Sequence, residues 1–285
     1  MKPIIALIVF AAVSLLFCCI GFKRFVWFMS VGYGLSSAGL GLAALVLSLA
    51  TGRFPVFYLI QCVLFMIYGI RLGGFLLMRE LKNAGYKSKL QEIGANADPP
   101  VFVAAVMWIF CGLLYVCQSA GLVFRFTNAL PGEPIVQNVS LYVGIAVSAV
   151  GIVIEALADK QKSEQKKQNP GLPAMTGLYK ISRCPNYFGE ILFWTGSFVT
   201  LCGTACNWWQ WVIGIIGYIA IVGIMFSGAK RLETRHIKNY GSIPEYNAYA
   251  DKTPILIPLI PVYHVVTPES IAAAEAKKAA KKAVK

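Results

Sequence analysis

Acidic residues are scarce in this chain. Asp and Glu number 13 against 26 Lys and Arg, and the first of them is Glu80. Charged residues of both signs fill 14% of the 285 positions, where a soluble domain carries roughly 25%. Histidine occurs only as His236 and His264, and the eight cysteines include no Cys-x-x-Cys pair. That spacing excludes the common zinc sites and gives no disulfide framework, so no metal ligands are expected. Seven of the cysteines fall in or at the ends of apolar runs and read as buried thiols. A strand-linked Gly-x-Gly-x-x-Gly is also missing: Gly32, Gly34, Gly39 and Gly41 lie inside one apolar run, where they permit close helix packing.

What fills the chain is apolar side chain, 57% of all residues, with mean hydropathy +0.64. It comes in runs close to the ~20 residues that carry a helix across a hydrocarbon core of about 30 Å. Seven such runs are expected, at about 4–21, 25–50, 55–78, 100–124, 139–158, 187–206 and 208–228. The sequence therefore predicts an all-α polytopic membrane protein of about seven transmembrane helices. The first run reads as a helix rather than a signal peptide, because no small-x-small cleavage site leads into a soluble domain.

The net charge of +13 sits in the loops. Loop 79–99 holds Arg79, Lys82, Lys87 and Lys89; loop 159–183 holds Lys160, Lys162, Lys166, Lys167, Lys180 and Arg183; ten more follow residue 228. Seven spans place all of these on one side, which the positive-inside rule makes cytoplasmic together with the C-terminus. This pattern argues against nucleic acid as a partner and for membrane lipids. The expected organisation is one membrane domain over 1–262 and a Lys/Ala-rich cytoplasmic tail over 263–285. Residues 229–250 read as an amphipathic helix. The host membrane is the endoplasmic reticulum in a eukaryote, or the inner membrane in a bacterium.

One segment breaks the apolar monotony. Gly177-Leu178-Tyr179-Lys180-Ile181-Ser182-Arg183-Cys184-Pro185-Asn186-Tyr187-Phe188-Gly189-Glu190 packs basic, amide, phenol and carboxylate groups at the mouth of a hydrophobic helix. Polar groups at membrane depth are costly and mark function by default. A positive-inside signal alone accounts for the lysines but not for Asn186 with Glu190.

Together with Glu155-Ala-Leu-Ala-Asp159 upstream, and with Arg231-Leu232-Glu233, Tyr240-Gly241, Tyr246-x-x-Tyr249 and Pro254-Ile255-Leu256-Ile257-Pro258 downstream, this segment resembles the steroid 5-alpha-reductase-like membrane proteins, including their DUF1295-type branch. The resemblance covers roughly residues 55–262 and is strongest over 150–258. It implies an NADPH-dependent reductase that saturates a carbon–carbon double bond conjugated to a carbonyl in a steroid, sterol, polyprenoid or other lipid. The cofactor-binding residues it points to are Lys166, Lys167, Tyr179, Arg183, Asn186, Tyr187, Glu190, Arg235, Tyr246 and Tyr249. The chemistry agrees: dinucleotide phosphates need Lys and Arg, and the Asn186 amide can meet the nicotinamide carboxamide. Asn186 and Glu190, four apart, share one helix face.

On the substrate side, Tyr68-Gly-Ile-Arg71 resembles the Tyr-x-x-Arg of steroid reductases, whose tyrosine hydrogen-bonds the substrate ketone. Gln61, Tyr68 and Arg71 fall on one helix face and are the catalytic candidates; an interfacial aromatic anchor is the plainer reading of Tyr68. Steroid reductases pair that tyrosine with a glutamate on an earlier span. No acidic residue precedes Glu80, so Gln61 is the substitute the sequence offers. Two other functions fit the same motifs: an S-adenosylmethionine-dependent isoprenylcysteine-type methyltransferase, which usually shows His where this chain has Cys184, and a non-catalytic lipid-binding scaffold.

Overall fold

The apolar runs become helices because no other backbone conformation satisfies its own hydrogen bonds in hydrocarbon without a closed sheet. The computed structural model describes residues 3–82, 99–129 and 132–272, and among these the regular elements are all helical. They are α1 (Pro3–Cys18), α2 (Val31–Ala50), α3 (Val56–Lys82), α4 (Val101–Gln118), α5 (Ala120–Thr127), α6 (Val139–Gln168), α7 (Pro185–Cys202), α8 (Trp208–Tyr240) and α9 (Pro244–Ala250). Short 3-10 turns cover Cys19–Phe22, Phe25–Phe28 and Gly177–Lys180. Most of loop 79–99 and the tail beyond residue 272 lie outside the described residues.

Among the described residues, six helical segments are long and apolar enough to cross a membrane: Pro3–Phe22, Phe25–Ala50, Val56–Met78, Val101–Gln118, Val139–Gln168 and Trp208–Tyr240. The chain is an all-α integral membrane protein. Its outer surface is built accordingly, with Leu16, Val101 and Trp208 exposed by 68%, 81% and 77%; in lipid such side chains carry no hydration penalty. The remaining run forms α7, an 18-residue helix outside that set of six, whose first turns carry the polar groups of the motif. The run at 100–124 breaks at Ser119 into α4 and α5. The amphipathic helix expected over 229–250 is also divided. Residues up to Tyr240 prolong α8, the chain turns at Gly241, and Pro244, with φ already helical and no N–H to satisfy, opens α9.

Contacts divide the chain into two compact units. The first comprises Met1–Ala149 and Trp194–Ala220; the second comprises Val150–Phe193 and Ile221–Lys285. In the first, α2 and α3 meet along glycines. A Cβ at Gly34 would lie 2.6 Å from the Gly73 nitrogen, and one at Gly69 would run into the Gly34 carbonyl and the Ala38 amide. Without a solvent-driven hydrophobic effect, backbone approach of this kind supplies the van der Waals contact that joins helices. Ser14 adds a bond from its hydroxyl to the Gly112 carbonyl at 2.7 Å, and Ser36 donates to the Ser14 carbonyl at 3.1 Å. Arg125, fully enclosed, donates to the carbonyls of Val136 and Thr200 and to Ser140, so that every nearby partner is neutral.

Gly69→Ala is expected to cost about 1–3 kcal/mol, the usual penalty for overpacking a tight contact. Gly74→Ala, where the added carbon meets nothing within 4 Å, should be close to neutral. Thermal unfolding of the two variants in detergent checks this; equal melting temperatures would mean that α2 and α3 do not approach so closely.

In the second unit α6 and α7 meet the same way. A Cβ at Gly189 would sit 2.7 Å from both the Gly151 carbonyl oxygen and the Glu155 nitrogen. The close approach that Gly189 permits is therefore to a neighbouring helix.

Candidate functional site

Two groups of polar side chains stand out, one in each unit. The second unit holds the motif. Its loop from 169 to 184 folds against the polar end of α6 through side chains of that helix. Gln161 accepts from the Leu178 amide, and Gln165 from the amides of Met175 and Thr176. The Lys166 ammonium donates to the carbonyls of Pro170 and Leu172 at 2.9 and 2.8 Å and to the Tyr240 hydroxyl at 2.8 Å. Lys166 is thus a loop anchor, whereas Lys167 beside it is exposed.

Tyr179 and Tyr249 act as a pair. The Tyr249 hydroxyl donates to the Tyr179 carbonyl at 2.7 Å, and the Tyr179 hydroxyl donates to the Ala158 carbonyl at 3.3 Å. Burial raises the titration of both phenols well above the ordinary range, so both stay protonated donors. Burial likewise pushes the Cys184 thiol up to about 12, despite opposition from Lys162 and Arg183, which leaves it a neutral packing group rather than a nucleophile.

Arg183 is buried. Its Nη2 donates to Glu233 Oε1 at 2.9 Å and its Nε donates to the Thr253 carbonyl at 3.2 Å. The same Glu233 carboxylate accepts from the amides of Val265 and Val266 at 2.8 and 3.1 Å and pairs with His264 Nδ1 at 3.1 Å. His264 Nε2 reaches Asp251 at 3.0 Å. The arrangement is a clasp that ties the motif loop to the C-terminal segment. Ser182 reinforces it with a bond to the Leu256 carbonyl at 2.8 Å.

Beside the clasp, Tyr246 is enclosed by His236 and Tyr240, with ring centroids at 6.1 and 5.9 Å. Asn186 opens α7 directly after Pro185, half-buried, and its amide makes no hydrogen bond to any described residue. Tyr187 packs over Gly228, within electrostatic reach of Glu190, Arg231 and Arg235. Glu190 is buried, and Arg231 and Arg235 are exposed one turn apart on α8.

The structure therefore sorts the ten predicted cofactor residues by what their polar atoms do. Lys166, Tyr179, Arg183 and Tyr249 are committed to holding the loop, with Tyr246 packed among them. Asn186, Tyr187, Glu190 and Arg235 are gathered around the first turns of α7, with Lys167 at the surface. Sequence reasoning did not single out Glu233, His264 or Arg231 as parts of this region. Only the Arg-Leu-Glu of the resemblance touched two of them, without a role.

The first unit holds the other group. Tyr68 on α3 and Tyr33 on α2 place their hydroxyl oxygens 2.7 Å apart, and the Trp194 indole N–H donates to Tyr33 and lies 3.2 Å from the Tyr68 oxygen. None of the three side chains is more than 6% exposed. Gln61 points elsewhere, donating to the Thr200 hydroxyl at 2.9 Å. Arg71, one turn beyond Tyr68, is half-buried. The group that α2, the earlier helix, presents to Tyr68 is thus a second phenol, and the Gln61 side chain does not join it. Tyr33 and Trp194 were missed because neither is exceptional in an apolar, aromatic-rich run.

The family described as "Protein of unknown function (DUF1295)" matches residues 23–253 of the chain. A stretch of 72 residues is 38% identical to the "Steroid 5-alpha-reductase DET2" of Gossypium hirsutum, covering 24% of this chain and 25% of that relative. No solved structure matches.

Proposed function

The chain belongs to the DUF1295 family, and on that premise we propose that it is a membrane-embedded reductase that uses NADPH to saturate a carbon–carbon double bond conjugated to a carbonyl in a lipid. The observation that carries this reading is Tyr68, a phenol enclosed in an apolar helix bundle and hydrogen-bonded by Tyr33 and Trp194. A fixed, dry hydroxyl of this kind suits a carbonyl oxygen that gains negative charge as its conjugated double bond is reduced. The partial match to a steroid 5-alpha-reductase supports the same chemistry. Pro185–Cys202 is then the seventh span, and the C-terminus faces the cytoplasm.

The residues around α7 fit NADPH. Asn186 has an amide that no described residue uses, and Lys167, Arg231 and Arg235 are exposed cations suited to phosphate. When bound, the cofactor supplies the hydride. Saturation of the double bond would also take one proton, which water would supply at the α carbon. Asn186 would orient the carboxamide, the exposed arginines would hold phosphate, and Tyr68 would donate to the carbonyl oxygen. Arg71, one turn away on the same face, helps position the lipid.

Titrating detergent-purified protein with NADPH, NADH and S-adenosylmethionine tests the assignment. Micromolar NADPH binding, lost in Asn186→Ala, is expected. Binding of S-adenosylmethionine alone would transfer the chain to the methyltransferases, and binding of neither would leave a scaffold. Unchanged NADPH affinity in Asn186→Ala would remove that residue from the cofactor site.

A further inference from the structure

Pro254-Ile255-Leu256-Ile257-Pro258 and the residues after it form a closed loop in the second unit. The Ile255 amide donates to the Val262 carbonyl at 2.9 Å and so joins its two ends. Ile255 and Leu256 are buried at the base, whereas Leu259, Ile260, Pro261, Val262 and Tyr263 are exposed. Leu259, at the tip, is 97% exposed and holds φ at +69°, a left-handed conformation that bulky side chains rarely adopt. Glycine takes that conformation without a steric penalty. The loop instead presents a leucine there, almost wholly uncovered. It is also poor in free backbone donors. Pro258 and Pro261 have no N–H, the Ile260 amide donates to the Ile257 carbonyl at 3.3 Å, and the Val262 amide donates to the Ile260 carbonyl at 2.7 Å. An amide facing water needs no such partner, but in hydrocarbon an unpartnered amide is costly.

Hydrogen bonds fix the height of the loop. The Arg183 amide donates to the Pro254 carbonyl at 2.9 Å and the Ser182 hydroxyl to the Leu256 carbonyl, just before α7 opens at Pro185. Tyr179, three residues before Ser182, donates to the Ala158 carbonyl of α6. Around Ala158 the exposed apolar side chains of α6, Val153 and Leu157, give way to Asp159, Lys160 and Lys162. A change of that kind along a membrane helix marks the border between hydrocarbon and headgroups. The base of the loop is therefore at the membrane surface, continuous with the lipid-facing side of its own unit. Ile181, also exposed, adjoins that base, and the exposed Lys180 and Lys252 suit the phosphates of anionic lipid. Tyr263 is the kind of side chain that favours this interface.

We propose that residues 257–263 are a phospholipid-binding wedge that inserts from outside the helix bundle into the headgroup–acyl boundary of the host membrane. Leu259 and Ile260 meet the first part of the acyl chains, while Lys180 and Lys252 meet phosphate. The wedge does not depend on the reductase reading, since it follows from the loop and its height alone. It also accounts for the leucine at +69°: the side chain is placed for lipid and not for packing within the protein.

The test uses full-length protein in nanodiscs of phosphatidylcholine and phosphatidylserine, with an environment-sensitive fluorescent amino acid in place of Leu259. The reference is the same probe in place of Glu164, exposed on the polar end of α6. Emission from position 259 should be shifted to the blue of the reference. Lipids brominated on the acyl carbons nearest the headgroup should quench it, and should leave the reference unquenched. With the probe moved to Ile260, Leu259→Asp should abolish most of that quenching. If Leu259→Asp does not fold, Leu259→Gly, which suits the backbone and removes the side chain, reports on the same tip. Water-like emission without quenching at position 259 would overturn the wedge. A blue shift without bromine quenching would overturn it too, because the tip would then be covered by protein, such as a second copy of the chain.

Discussion

Glu233→Ala is expected to lower the unfolding free energy by about 3–5 kcal/mol, the range for removing one partner of a buried ion pair. The carboxylate is 2% exposed and takes bonds from four groups: the Arg183 guanidinium, the His264 ring and the amides of Val265 and Val266. Without it the enclosed guanidinium keeps the Thr253 carbonyl, and two backbone N–H groups lose their partner. The second consequence is local. The segment around Val265 and Val266 should lose its hold on the rest of the second unit, so amide exchange at these two residues should accelerate before any other part of that unit opens. Replacing both partners, Arg183→Met with Glu233→Leu, should recover much of the loss, because no uncompensated charge remains. Thermal unfolding and hydrogen exchange on the single and double variants decide it. A loss under about 1 kcal/mol in Glu233→Ala would mean that the clasp is not what holds the segment.

Tyr68→Phe should lower turnover of an accepted enone about 10²–10³-fold while NADPH affinity stays as in the wild type. The substitution deletes one oxygen from a fully enclosed side chain and keeps its ring, so packing against Trp194 and Tyr33 survives. On the proposed reductase reading, what disappears is the donor to the developing oxyanion. Its effect therefore falls on kcat, because the ground-state carbonyl is a weaker acceptor than the enolate. Side-by-side measurement of kcat and of the NADPH dissociation constant checks the split. Full turnover in Tyr68→Phe would take the phenol out of the chemistry, and loss of NADPH binding would mean that the substitution had disturbed the fold.

Tyr68 also shows how far one-dimensional reading reaches. Its spacing from Arg71 and its likeness to the Tyr-x-x-Arg element mark it as a candidate, and in the structure it is enclosed beside Tyr33 and Trp194. Its partner was not legible. Gln61, seven residues back on the same helix, is the substitute the sequence offers for the absent glutamate, yet that side chain turns to Thr200. Tyr33, 35 positions away, is brought in by the glycine contacts between α2 and α3. Arg183 illustrates the opposite case. A basic residue in a motif loop reads naturally as a phosphate ligand, but the buried Glu233, fifty residues later, takes up its guanidinium.

From the sequence alone come the class and the family. Hydrophobic run length against bilayer thickness is a property of composition and order, so all-helical membrane architecture needs no coordinates, and the motif spacing over 150–258 points to the same relatives that residues 23–253 match. Tertiary structure alone decides which polar groups hold the fold and which are left for chemistry. Lysines, arginines and tyrosines look alike in a string of residues. Inside a helix bundle each is sorted by whichever acceptor the packing delivers, and that acceptor lies a hydrogen bond away in space but often fifty or more residues away along the chain.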